Sequence, residues 1–273
     1  MKTLKTLIIL LIMTNGLLHT AAQERKENND YVERQNYTET ISGLSEDCTL
    51  EIKSPYGLIN IESGDTPGQI TIDMSVTIEG RYWFVKEKSE KDYSKMLKIK
   101  NKRPDKVTIT NKMPEENQSF TTRRGHNYTG TFSLYYEYEG NRVTPVITIR
   151  IPKEMNVIAE QKFGTISMPD DNMGNIDISL EHANMEGGNF KNLTVKSKYA
   201  DHITVENIET ATFDAEYSHI ETGDIDSLSA VLKYSNCHFG NVNKMNIKSE
   251  HGHETFKNAD KSDIINIATK EEE

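Results

Sequence analysis

Three histidines, His202, His219 and His253, occupy one place in a recurring pattern, and Thr165, Asn184 and Asn236 fill the same place elsewhere in it. Imidazoles on adjacent strands could bridge one transition-metal ion, so this column is the first candidate for chemistry. Asn236 interrupts it and no acidic residue shares it. It therefore reads as a polar surface ladder rather than a metal site. His251-Gly252-His253 is a weaker candidate, because alternate strand residues with glycine between them expose both rings without a fixed cavity. The pairs Asp170-Asp171 and Asp224 with Asp226 are the residue type that β-helix polysaccharide lyases and hydrolases use. Those enzymes have longer rungs and a cleft walled by inserted loops, whereas here the loops are short, and Asp170-Asp171 follows Pro169 in ordinary turn chemistry. Arg123, Arg124 and His126 give the long polar segment MPEENQSFTTRRGHNYTG a local positive charge. That suits an anion or glycan contact, or simply a solvated hairpin tip. No Ser-His-Asp arrangement, HExxH or Cys-His pair stands out, and no Gly-x-Gly-x-x-Gly leads from a strand into a helix. The sequence assigns no catalytic, cofactor-binding or metal residue.

The elements that position these side chains show themselves as a repeat. A charged residue, an aromatic or histidine, and a small residue recur as Lys162-Phe163-Gly164, Glu181-His182-Ala183, Lys198-Tyr199-Ala200, Glu216-Tyr217-Ser218, Lys233-Tyr234-Ser235 and Glu250-His251-Gly252, at spacings of 19, 17, 18, 17 and 17. Three residues after the aromatic comes an apolar column, Ile166, Met185, Ile220 and Cys237, which Ile203 joins if its rung holds one inserted residue. Turns follow at Gly188-Asn189, Glu206-Asn207, Gly223-Asp224 and Gly240-Asn241. Beyond them lie two further columns: Phe190, Ile208, Ile225 and Val242, then Val195, Phe213, Ala230 and Ile247, continued by Ile264. One such rung cannot bury its inward face, but stacked rungs can. The period is too short to include a helix. The fold class is therefore all-β: a single-stranded parallel β-solenoid (β-helix) of about 17-residue rungs, about 30 Å long for six rungs. The tyrosines read as a stacked ladder, with a sugar-binding aromatic strip as the alternative.

The rest of the chain supplies context. MKTLKTLIILLIMTNGLLHTAAQE has the n-region, apolar core and small-residue cleavage site of a secretory signal peptide, residues 1–22. Residues 23–46 lack periodicity and read as a flexible leader. Residues 47–160 form a β-rich N-terminal part, with alternating strands in CTLEIKSPYGLINIESGD and ITIDMSVTIEG and one helix over 84–98. The solenoid repeats occupy 161–270, where KSDIINIATKEEE would cap the stack, and 271–273 is an acidic tail. The formal charge of −10 gives no electrostatic help toward nucleic acid. Cys48 and Cys237 are placed far apart in the stacking order, so no disulfide is expected, and Cys237 reads as a small buried hydrophobe.

The segment ITIRIPKEMNVIAEQKFGTISM resembles a signature of the bacterial putative-adhesin family, also described as the β-strand-repeat or head-GIN-like domain. A strand ends at Ile151-Pro152, a short connection follows, and Phe163-Gly164-Thr165-Ile166 opens the first rung. SPYGLINIESGDTPGQITIDMSV resembles the same family's opening, and the likeness runs from about Leu50 to Thr269. The resemblance implies an exported, non-catalytic, adhesin-like binding protein of the bacterial envelope, and it supplies no catalytic residues or cofactor. Its partner would be a surface glycan or an envelope protein. No nucleic acid and no membrane span are expected, and the solenoid ends offer a route to self-association. The alternatives are a carbohydrate-active β-helix enzyme and a structural or signalling envelope component.

Overall fold

Alternation of apolar and polar residues dictates strands, and strands dominate the molecule. The computed structural model describes residues 24–25, 31–112, 136–138 and 141–259. The N-terminal elements are β1 (Glu24–Arg25), β2 (Tyr31–Ser42), β3 (Thr49–Ser54), β4 (Leu58–Ser63), β5 (Gln69–Gly80), α1 (Tyr82–Ser89), a 3-10 turn (Tyr93–Met96), β6 (Leu97–Arg103), β7 (Lys106–Asn111), β8 (Tyr136–Tyr138) and β9 (Asn141–Ile151). The repeats follow as β10 (Asn156–Gln161), β11 (Gly164–Met168), β12 (Asn172–Glu181), β13 (Ala183–Gly187), β14 (Phe190–Lys198), β15 (Ile203–Val205), β16 (Ile208–Glu216), β17 (His219–Thr222), β18 (Ile225–Lys233), β19 (Asn236–Glu250) and β20 (His253–Ala259).

Each rung contributes one long and one short strand, and these stack into two parallel sheets. The long sheet runs β10, β12, β14, β16, β18 and the second half of β19. The short sheet runs β11, β13, β15, β17, the first half of β19 and β20. In the long sheet Ala159, Ile178, Val195, Phe213, Ala230 and Ile247 lie in one register, so the offsets are the 19, 17, 18, 17 and 17 of the sequence. In the short sheet Ile166, Met185, Ile203, Ile220 and Cys237 form one buried column. Ala200 is buried and His202 falls level with His219, which makes Asp201 the inserted residue of the 18-residue rung. The apolar column ends below Cys237 at Glu254, whose carboxylate accepts a hydrogen bond from Ser249 Oγ.

The corner between the sheets needs a tight reversal of the chain. His182, Tyr199, Tyr217, Tyr234 and His251 make it in the left-handed region, with φ between 49° and 56°. That conformation costs a non-glycine residue about 1–2 kcal/mol. It persists because the surroundings over-determine it. The backbone N–H of Tyr217, for example, donates to Lys233 O on the next rung, and the rings stack. In the first rung the bend falls one residue later, at Gly164 with φ +106, where a Cβ would lie 2.1 Å from Gly57 O. Glycine is therefore obligatory there.

The N-terminal part continues both sheets. β3 pairs with β10 and β7, and β4 pairs with β11 and β9, all parallel. Antiparallel strands then close that end: β6 on β7, and β5 on β9 with β2 outside it.

Several sequence expectations change here. Residues 31–42, assigned to the flexible leader, are a twelve-residue strand along the whole of β5, with Val32, Gln35 and Ile41 buried. The helix expected over 84–98 is shorter. It spans Tyr82–Ser89, followed by the 3-10 turn, and Leu97 already belongs to β6. Asp92 interrupts it by accepting hydrogen bonds from the backbone N–H and hydroxyl of Ser94, the local competition that removes short polar residues from helix interiors. The boundary set between 160 and 161 cuts through β10, and the N-terminal rung stacks directly on the repeats. The signal peptide, the segment with Arg123, Arg124 and His126, Ile264 and the capping sequence 261–273 lie outside the described residues. Among the described residues, no helix is long and apolar enough to cross a membrane. Cys48 and Cys237 are both free and buried.

Candidate binding faces

The corner residues form a continuous ladder. Tyr56, Phe163, His182, Tyr199, Tyr217, Tyr234 and His251 stack in order, with ring centroids 4.8–6.0 Å apart and interplanar angles of 13° or less. This decides between the two readings of the tyrosines. A sugar ring needs an open aromatic face, but each interior ring has both faces against its neighbours. What the ladder presents is a row of ring edges. Beside it runs a column of alternating charge, Lys162, Glu181, Lys198, Glu216, Lys233 and Glu250. Lys162–Glu181 at 3.5 Å and Lys198–Glu216 at 3.2 Å are ion pairs between rungs. Alternation is what stacking requires, since like charges directly opposite destabilise a sheet.

The opposite corner is held by an amide ladder. Asn207 donates from its backbone N–H and its Nδ2 to Asn189 Oδ1, and Asn241 does the same to Asp224 Oδ1. Asp224 N donates to Asn207 Oδ1 in turn, and Asn258 Nδ2 to Asn241 Oδ1. The backbone and side-chain hydrogen bonds from Asn241 hold the Asp224 carboxyl below its ordinary range. The acidic pairs of the sequence are therefore committed elsewhere. Asp171 accepts from Asn189, Asp226 from Asn243, and Asp170 from the backbone N–H of Ser63.

On the outer face of the short sheet, Asn184, His202, His219, Asn236 and His253 do align as the sequence indicates. The neighbouring outward column carries Ser167, Glu186, Thr204, Glu221, His238 and Thr255. The histidines meet across these columns. His219 lies edge-on to His202 at 5.7 Å and to His238 at 5.4 Å, and its Nε2 is 2.9 Å from Glu221 Oε1. The hydrogen bond with His219 holds the Glu221 carboxyl below its ordinary range, with the charges of His219, His238 and His202 adding to the effect. The period alone places Glu221 beside His219 on the outer face, but it does not group Glu221 or His238 with the histidine column, because each stands opposite a different residue type in its own column. Only the two-column geometry joins them to the histidines. Among the described residues, no group of three or more His, Cys, Asp or Glu side chains is arranged to hold a metal ion.

The outer face of the long sheet carries a groove of about 590 Å³ parallel to the solenoid axis. It lies between two outward columns. One holds Lys53, Glu160, Lys196 and Asp214, and the other Lys162, Glu181, Lys198 and Glu216. Four lysines and four carboxylates line the groove, so these charges sum to zero. A smaller depression of about 310 Å³ at the amide corner includes Asp171, Glu209, Asp224 and Asp226.

No protein-family model matches the chain, and no curated protein matches it. Solved structures do. One is described as a putative adhesin from Bacteroides fragilis NCTC 9343, at 10% identity over 81% of this chain and 96% of that one, with a TM-score of 0.39. A second is a putative cell adhesion protein from Clostridium sporogenes ATCC 15579, at 9% identity, 82% and 98% coverage and a TM-score of 0.33. A third is a putative adhesin from Parabacteroides merdae ATCC 43184, at 11% identity, 81% and 90% coverage and a TM-score of 0.37.

Proposed function

We propose that the chain is an exported, non-catalytic, adhesin-like protein of the bacterial envelope, binding a surface glycan or an envelope protein through its outer faces. The long axial groove is the observation that carries this reading. It crosses successive rungs and offers lysines and carboxylates in equal number, which suits a linear, hydroxyl-rich or zwitterionic partner better than a strongly charged one. Export is supported by the n-region, apolar core and Thr20-Ala21-Ala22 of the N-terminus.

The same groove favours one second reading, a carbohydrate-active enzyme, because lysines and carboxylates beside a parallel sheet are that chemistry's residue types. Against it stands the state of those carboxylates. Glu216 is 3.2 Å from Lys198, Glu181 is 3.5 Å from Lys162 and Glu160 is 3.8 Å from Lys53. The pairs are solvent-exposed, whereas a general acid needs a site that raises its pKa by excluding water or by an unpaired neighbour. Incubating the full chain with a panel of polysaccharides separates the two readings. Saturable binding without new reducing or unsaturated ends supports an adhesin-like role, and release of such ends assigns an enzyme.

A further inference from the structure

Six of the eight histidines belong to the solenoid, and four of those, His202, His219, His238 and His253, stand on the outer face of the short sheet. The two outward columns of that face contain no lysine or arginine, so imidazolium is the only positive charge they can acquire. Their carboxylates are Glu186 and Glu221. With neutral imidazoles the columns sum to −2, and with four imidazolium ions they sum to +2. Asp201, at the corner before His202, lowers both sums by one. Glu254 follows His253 but accepts its hydrogen bond from Ser249, and Lys257 acts on Asp224 at the amide corner. Protonation of the imidazoles therefore reverses the sign of the face.

We infer that the short face is an acid-gated docking surface for a polyanionic glycan, one bearing carboxylate or sulfate groups along its length. Regular placement of the charges argues for a polymer over a single small anion. Successive rungs repeat every 4.8 Å or so along the axis, and the histidines occupy successive rungs without a cavity around them. Adjacent imidazoliums at ring separations of 5.4 and 5.7 Å repel one another. Glu221 already offsets that repulsion at His219, and a bound chain of anions extends the same neutralisation to His202, His238 and His253. Because the anion stabilises the protonated rings, binding takes up protons, and affinity rises as pH falls.

The inference rests on the binding-protein reading only for the class of partner, and it concerns a different face from the groove. Fluorescence anisotropy of the full chain with labelled polygalacturonate, at about pH 5.5 and about pH 7.5 in constant salt, tests it. Neutral dextran and a DNA duplex serve as comparisons. We expect polygalacturonate to bind about tenfold or more tightly at the lower pH. The combined variant His202→Gln, His219→Gln, His238→Gln and His253→Gln should lose that gain while keeping its circular dichroism spectrum. Glu221→Gln, which removes a carboxylate from the face, should strengthen binding at the lower pH. Equal affinity at both pH values overturns the inference, as does an unchanged pH dependence in the folded histidine variant. Preference for DNA over polygalacturonate overturns the assignment to a glycan. Dextran binding at about pH 7.5 that survives the histidine substitutions reports on the long groove, so the two proposals fail separately.

Discussion

Replacing Tyr217 tests whether the aromatic ladder supports a strained corner. The Tyr217 ring is stacked on Tyr199 at 5.3 Å and on Tyr234 at 4.9 Å, and its backbone has φ of 51°. Two ring pairs contribute about 0.5–1.5 kcal/mol each, so Tyr217→Ala should cost about 1–3 kcal/mol. Alanine retains the penalty of the left-handed conformation. Glycine loses the same two contacts but removes that penalty, so Tyr217→Gly should recover about 1 kcal/mol after its larger unfolded-state entropy is subtracted. Urea unfolding followed by far-ultraviolet circular dichroism should therefore rank wild type above the glycine variant and the glycine variant above alanine. This order is the reverse of that at an ordinary strand position, where alanine is better than glycine. An alanine variant equal to wild type would remove the ladder's stabilising role. An alanine variant more stable than glycine would refute the corner-strain argument.

Other consequences follow from single sites. Phe213 is 1% exposed at the centre of the stack, and Phe213→Ala should cost about 3–5 kcal/mol by the same unfolding assay. Burial pushes the Cys237 thiol up to about 12, with Glu254 adding to it, and burial followed by Asp105 raises Cys48. Neither thiol should react with Ellman's reagent at mildly alkaline pH until the chain is unfolded, when both should react. Asp224 is held below its ordinary value of 3.8, so its contribution is present above that pH and is lost as pH falls through the lower folded value. Asp224→Asn should accordingly flatten the acid limb of the stability profile below about pH 4. Gly164→Ala should prevent the first rung from docking on Gly57, seen as a lost cooperative unfolding transition.

The repeats were legible because parallel stacking preserves residue type down each column. The spacing of the aromatic residues alone predicts the register from Ala159 to Ile247. The alternating charges were also visible, although their meaning as inter-rung ion pairs needed the sheet. Legibility failed where partners are not one period apart. Tyr56 begins the ladder by stacking on Phe163, across more than 100 residues of intervening chain, and no period reports that. The strand at 31–42 was hidden by its own polar core. Gln35 is buried and donates from Nε2 to Ser89 O while accepting from Tyr37 Oη, so the apolar alternation breaks where a strand would show it. The amide ladder was mistaken for turn chemistry alone because Asn and Asp serve both purposes, and only repetition at 17 or 18 residues distinguishes a ladder from a series of turns. The histidine face was half visible. The His202–His219 column could be read from the period, whereas the approach of His238 and Glu221 depends on side chains from adjacent columns meeting across rungs.

The claim that function resides in the outer faces is tested most directly by charge reversal in the groove. Binding of the full chain to bacterial surface polysaccharides should be measured at neutral pH for wild type and for a variant with Lys53→Glu, Lys196→Glu and Lys198→Glu, alongside assays for cleaved product. The account predicts saturable binding by the wild type, at least about tenfold weaker binding by a variant that remains folded, and no product from either. Identical binding by the two proteins, or product release by the wild type, would contradict it.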